Sequence, residues 1–312
     1  MARVLGLLMS GRKHGFTSGL LEAALEGAAS VTGVEVETVQ VNRLAIDPCH
    51  SCFSCIRRET HDCVQKDAMG ADGELMGRLT QANGWIIADP VHMWGPSATC
   101  HLFIERCYPF LWSGTLSGMP FMSVSCASNQ GMQRLANEII CKWAFTFGLR
   151  YVGGVPVHTT YLAAARQHVG ELGRRLGEAA IEDARERRPV SDQQRFLDYL
   201  DKPWSALEPY LQNLTNGTMT YEGSLIAQGL ASFGRPEARA LLEEARAPFQ
   251  QALEHFHAGN QTAATELLVR ASALWTHATW REFLEEEVIG TRVPGAYRPI
   301  EGGQQEAPRS QS

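Results

Sequence analysis

Residues 1–160 alternate between short, almost wholly apolar runs and stretches with helical spacing, and few architectures accept that rhythm. The runs fall at 3–9, 34–41, 84–89, 120–126 and 150–157. Between them, residues 18–29, 71–81, 97–110 and 133–147 carry apolar side chains at three- and four-residue intervals. A strand that is apolar at nearly every position must be buried on both faces. That is the condition inside a parallel sheet covered by helices on either side.

Five such strands predict a flavodoxin-like, doubly wound α/β fold with a five-stranded parallel sheet. In such sheets ligands bind beyond the carboxyl ends of the strands, so the functional loops are those after Met9, Val41, Asp89 and Cys126. From residue 161 the pattern turns helical throughout, at 162–187, 192–200, 204–214, 236–257 and 261–287, with Pro248 expected to kink one helix. The expected organisation is a domain over 1–160, a helical extension over 161–300 acting as a subunit interface or a lid, and a flexible polar tail over 301–312. In the extension, Trp204, Trp275, Trp280, His255, His257 and His277 fall at helical spacings. The histidines suit either a metal site or packing, and packing in the core or an interface is the expectation.

Lys and Arg number 28 against 34 Asp and Glu, a net charge of −6, which argues against nucleic acid as a partner. No apolar run approaches the roughly 18 residues of a membrane span, and the run 4–9 is too short for a signal-peptide core. A cytoplasmic protein with no membrane partner is expected. For such a chain, clustered cysteines point to metal or redox chemistry rather than to disulfides.

The first turn reads Ser10-Gly11-Arg12-Lys13-His14-Gly15-Phe16-Thr17-Ser18. Small hydroxyl residues, two glycines and two cations between a strand and a helix suit a phosphate or similar anion held on backbone N–H groups. The alternative is an ordinary loop in which Thr17 or Ser18 caps the helix. Neither the Walker pattern nor G-x-G-x-x-G is present.

Four of the eight cysteines lie within fifteen residues, as Cys49-x2-Cys52-x2-Cys55-x7-Cys63. Three thiols at three-residue steps can reach three corners of an iron–sulfur cubane, and a fourth after a spacer can reach the last. Zinc and free thiols are the alternatives, although structural zinc sites favour two separated Cys-x2-Cys pairs. His50 and His61 are left out of the ligand set. Cys100 and Cys107 are expected in the core, and Glu105 with Arg106 as a structural charge pair.

In these motifs the sequence resembles the iron–sulfur flavoproteins, a branch of the NADPH-dependent FMN reductase group of the flavodoxin-like superfamily. The resemblance runs over about residues 3–157. It rests on the first turn, on the cysteine motif beginning at Pro48, and on Asp89-Pro90-Val91-His92-Met93-Trp94-Gly95-Pro96-Ser97-Ala98 followed by Phe103-Ile104-Glu105-Arg106. The resemblance implies FMN held by Ser10, Arg12, Lys13, Gly15, Thr17 and Ser18 at its phosphate. The ring would lie against Pro90, Val91, His92, Met93, Trp94 and Ser97, and against Ser125, Ala127 and Gly131 after the fourth strand. It also implies a [4Fe–4S] cluster on Cys49, Cys52, Cys55 and Cys63 in the loop 47–64.

Residues agree with this where they offer faces for a flat ring, namely His92, Met93 and Trp94 between rigid Pro90 and Pro96; packing of Trp94 in the core or an oligomer interface is the alternative. Phe16 stands where the family has Asn, and His92 where Tyr is common. The expected activity is an oxidoreductase passing electrons between cluster and flavin, with no catalytic side chain assigned. A cluster-free NAD(P)H-dependent quinone, nitro or azo reductase and a non-catalytic electron carrier or redox sensor are the alternatives. The expected partners are a small-molecule acceptor, a ferredoxin-like donor or NAD(P)H as co-substrate, and further copies of the chain in a homodimer or homotetramer.

Overall fold

In the computed structural model, residues 1–129 and 131–283 are described. The chain divides into two units, 1–204 and 205–312. Five strands, β1 (Ala2–Leu8), β2 (Val34–Gln40), β3 (Gly84–Pro90), β4 (Pro120–Ala127) and β5 (Arg150–His158), form one parallel sheet in the order β2-β1-β3-β4-β5. Side chains alternate between its faces as a pleated strand requires. Val4, Leu8, Ile86 and Met122 point to one core, and Leu5, Leu7, Trp85, Ile87 and Phe121 to the other.

The first core is roofed by α1 (Phe16–Ala29) and α7 (Leu162–Arg185). The second lies under α3 (Glu74–Gln81), α4 (Ala98–Arg106), α5 (Tyr108–Ser113) and α6 (Gln133–Thr146), and the short α2 (Ser54–Arg57) packs on α5. The stretch 97–110, read as one helix, breaks at Cys107, because Pro109 in the first turn of α5 has no N–H to continue the ladder. Cys100 and Cys107 are fully buried, as expected.

The domain boundary expected at 160 falls instead after Trp204. The reason is α7, whose Val169, Leu172, Leu176 and Ala180 fill the core beneath it. Glycines let its backbone meet α1: a Cβ on Gly27 would stand 2.0 Å from the Gly170 carbonyl oxygen, and one on Gly173 2.0 Å from that of Ala24. After α7, α8 (Asp192–Asp198) packs Phe196 at 4.9 Å from Phe145 of α6, and the Tyr199 hydroxyl donates to the Leu149 carbonyl at 3.2 Å.

The second unit contains α9 (Leu207–Leu214), α10 (Leu225–Ser232), α11 (Pro236–His257) and α12 (Gln261–Thr279). Helix α11 runs unbroken through Pro248. Gly259, at φ 77°, turns it into α12, where Asn260 caps the new helix by accepting from Ala263 N–H at 3.3 Å. His257 bonds the Met219 carbonyl, and no metal-ligating group forms around the histidines among the described residues. The expected helix end at 287, the extension to 300 and the tail 301–312 lie outside the described residues. No helix among the described residues is long and apolar enough to cross a membrane.

Candidate functional site

Beyond β1 the chain crosses the carboxyl edge of the sheet at Met9 and Ser10. Ser10 is buried; its hydroxyl accepts from the Arg12 N–H at 3.1 Å, and its carbonyl accepts from the Gln40 amide at 3.0 Å. The turn is thereby fastened to the neighbouring strand. The cap of α1 is Gly15, in extended conformation, rather than Thr17 or Ser18. With the helix beginning at Phe16, Ser18 falls on its third residue, where the hydroxyl accepts from the Gly15 N–H at 2.7 Å.

Glycine has no side chain to bond the first helical N–H groups, so they remain directed beyond the strand with the positive end of the helix dipole behind them. Thr17 is buried and bonds the Cys126 thiol at the end of β4; Arg12 and Lys13 stand exposed beside the turn. No carboxylate lies within 10–18. Uncapped amides, two hydroxyls and two cations fit a phosphate. Asn42, passed over in the sequence, walls the turn: a Cβ on Gly11 would come 3.0 Å from its side-chain oxygen.

After β3, Val91 N–H donates to the Cys126 carbonyl at 2.8 Å. His92 and Gly95 then exchange two backbone hydrogen bonds of 3.0 Å, closing a two-residue hairpin around Met93 (φ 48°) and Trp94 (φ 69°). Turns of this hand favour Asn-Gly, and each bulky residue held there costs about 1–2 kcal/mol. Met93 is 98% exposed and Trp94 59%, so Trp94 does not enter the core. Strain of this kind is retained where a ligand or partner meets the loop.

Ser97 turns inward instead of lining that loop. Its N–H and hydroxyl both donate to Asp89, at 3.0 and 2.6 Å, while the hydroxyl accepts from Cys100 N–H as the cap of α4. Burial pushes the Asp89 carboxyl up to about 7, against the opposing pull of the bonds from Ser97. Asp89 is thus the buried anchor of the loop. Sequence reasoning assigned it no role, although an Asp closing an apolar strand was a signal.

Across β4, the Ser125 hydroxyl donates to the Gln133 carbonyl at 2.6 Å, and Ala127 is buried. Gly131 sits at φ 92°, where any side chain is strained. The loops after β1, β3 and β4 therefore meet at one edge, with His92, Met93 and Trp94 projecting from it and Ser97 and Ser125 committed internally.

The cysteine loop follows β2. Cys49, Cys55 and Cys63 are partly buried and Cys52 is exposed. Burial pushes the Cys55 thiol up to about 12, and repulsion from Cys63, Cys49 and Cys52 adds to the rise, so the four share one neighbourhood. The Ser54 hydroxyl, 3.2 Å from Cys52 Sγ, draws that thiol down. Ser51, Phe53 and His61 all adopt left-handed backbone, which coils the loop tightly, and His61 Nδ1 braces it on the Cys55 carbonyl at 2.9 Å. Among the described residues no three His, Cys, Asp or Glu side chains converge on a single ion. A mononuclear zinc site would need its sulfurs about 3.8 Å apart at 2.3 Å bond lengths, whereas a cubane takes one sulfur at each of four separated corners. Four thiols gathered in one coiled loop offer one sulfur for each of those corners.

The expected Glu105–Arg106 pair does not form, because successive helical residues point about 100° apart. The Glu105 carboxylate accepts from Cys49 N–H at 2.7 Å. Arg106, 1% exposed, grips the Asp67 carboxylate with both arms, donates to the Asp47 carbonyl at 2.7 Å and reaches Cys63 Sγ at 3.4 Å. Helix α4 therefore starts on the Trp94 loop and ends on the cysteine loop.

The family model described as NADPH-dependent FMN reductase matches residues 2–162, more than half of the chain and the whole of the sheet. The chain belongs to the NADPH-dependent FMN reductase family. Within that family's wider circle, it is 34% identical over 116 residues to an iron-sulfur flavoprotein of Archaeoglobus fulgidus, covering 37% of this chain and 50% of the relative. It is 29% identical over 107 residues to an iron-sulfur flavoprotein of Methanocaldococcus jannaschii, covering 34% and 52%. The matches thus span about half the length of these relatives. Among solved structures, a flavone reductase superposes with a TM-score of 0.45 at 18% identity, covering 60% of this chain and 66% of the other.

Proposed function

We propose that this member of the FMN reductase family is an FMN-dependent oxidoreductase whose Cys49, Cys52, Cys55 and Cys63 hold a [4Fe–4S] cluster. The observation that carries the reading is the joining of two loops by one helix: four thiols in a single coil are fastened by Glu105 and Arg106, and the same α4 is capped by Ser97 in the loop expected to meet the flavin. When bound, the cluster supplies single-electron transfer and the flavin interconverts one- and two-electron chemistry. The chain's own residues bind and orient. The uncapped amides of α1, Ser10 and Thr17 receive the phosphate with Arg12 and Lys13 beside them, and Asp89 holds the hairpin of Met93 and Trp94 in place through Ser97. No side chain is assigned a covalent or proton-transfer role.

Protein purified without oxygen should be brown and carry about four irons and one FMN per chain. Colourless protein filled with zinc would overturn the reading. Rapid bleaching of the flavin by NADPH identifies a nicotinamide donor, and reduction by ferredoxin-like proteins alone identifies the other class. Light scattering tests the proposed homodimer or homotetramer, and cell fractionation the cytoplasmic location.

A further inference from the structure

We propose that Arg106 is a positioning residue that sets the reduction potential of the cluster through Cys63, an inference that rests on the cluster reading above. The guanidinium is a buried cation in hydrogen-bond contact with a sulfur of the motif. It is 1% exposed, and its aim is fixed on two sides: both arms lie on the Asp67 carboxylate, and one also donates to the Asp47 carbonyl at 2.7 Å. Asp67 is itself held, accepting from the N–H groups of Asp47 at 3.0 Å and Met69 at 2.9 Å. The second arm is left at 3.4 Å from Cys63 Sγ.

A planar fork of donors clamped in this way has little freedom to turn away, unlike a lysine ammonium on a flexible stem. Other contacts to the sulfurs come from neutral groups, Ser51 N–H at 3.4 Å from Cys49 Sγ, the Ser54 hydroxyl beside exposed Cys52 and the Gln65 side-chain oxygen at 4.0 Å from Cys63 Sγ, while Arg57 adds its charge near Cys52. Hydrogen bonds and positive charge at the sulfurs favour the more negative, reduced state and raise the potential. Burial strengthens the effect, since little water screens the charge. Asp67 offsets part of it, so the size of the effect depends on the guanidinium lying nearer the sulfur than the carboxylate does.

The test is a reduction-potential titration of the full chain, reconstituted anaerobically with iron and sulfide and followed by electron paramagnetic resonance, with iron counted in each sample. Arg106→Gln removes charge and fork together; Arg106→Gln with Asp67→Asn keeps the pocket neutral and so preserves folding; Arg106→Lys keeps the charge and loses the second arm. The potential is expected to fall in both glutamine variants, and to fall less in Arg106→Lys. A role confined to folding would lower the melting temperature and leave the potential of bound cluster where it was. An unchanged potential in any glutamine variant with wild-type iron content overturns the inference. Loss of iron from all three variants with the apo fold intact by circular dichroism also overturns it, since Arg106 then only holds the loop. A wild-type chain that takes up no iron refutes the cluster reading itself, whereas a loaded wild type beside variants of equal potential refutes only the role of Arg106.

Discussion

Replacing Gly173 by alanine directs a methyl group to within 2.0 Å of the Ala24 carbonyl oxygen. Carbon–oxygen contacts close no nearer than about 3.3 Å, so α1 and α7 must part by roughly 1.3 Å at that point. A gap of about 0.5–1 Å already forfeits a quarter to a half of each contact's attraction. The seam is long, for Gly27 and Gly177 make comparable approaches to the Gly170 and Ala28 carbonyls, at 2.0 and 2.8 Å. Overpacking of this kind costs about 1–3 kcal/mol, occasionally more, and a rigid backbone oxygen as the obstacle puts Gly173→Ala at the upper end. For a unit of about 200 residues, each kcal/mol moves Tm by roughly 2–4 °C, so a fall of about 6–12 °C is expected in differential scanning calorimetry. The control is Gly77→Ala in the middle of α3, where nothing lies within 4 Å of the new methyl. There the same substitution should stabilise by about 0.4–1 kcal/mol, because alanine restricts the unfolded chain. A Gly173→Ala protein melting at or above wild type, or a Gly77→Ala protein falling equally far, would refute the seam.

Trp94→Gly should raise stability by about 1–2 kcal/mol by relieving a left-handed tryptophan, while weakening flavin binding; thermal melts and flavin-fluorescence titration read the two effects separately. Asp89 titrates near 7 in the fold against about 4 when unfolded, so between those values the folded chain keeps a proton that the unfolded chain has lost. Stability must then fall with rising pH across that window, by up to about 1.4 kcal/mol per pH unit, and level off above it; denaturant melts of Asp89→Asn should lack this slope. A chain ended at Val157 loses α7 and uncovers Val4, Ile86 and Met122, so it should show no cooperative unfolding, whereas a chain ended at Trp204 should retain it. Equal melting of the two by circular dichroism would contradict the boundary.

The strands were legible because burial on both faces leaves an unbroken apolar run, and each observed strand lies within one or two residues of its expected position. The boundary at 204 was not, since the pairing of α7 with α1 is written in glycines that read locally as mere helix weakeners. Helix α10 escaped notice for a similar reason: eight residues with an internal Gly229 give too short a pattern. In the candidate site, the first turn and the cysteine motif could be recognised by spacing, for their residues are neighbours in sequence. The inward turn of Ser97 could not, because a hydroxyl's choice between a ligand and Asp89 depends on a strand end eight residues away. The grip of Arg106 on Asp67 and Cys63 joins positions 39 and 43 residues apart, and no periodicity encodes it.

Helix α4 imposes a strict phase on any relative that keeps both of its ends. Its nine residues run about 14 Å from the serine cap to the arginine. One inserted residue would add about 1.5 Å and swing everything beyond it by about 100°, carrying Glu105 away from Cys49 and Arg106 away from Cys63 together. A length change can keep both contacts only if it falls in the connections on either side, so the gauge between the two loops is kept whole or lost.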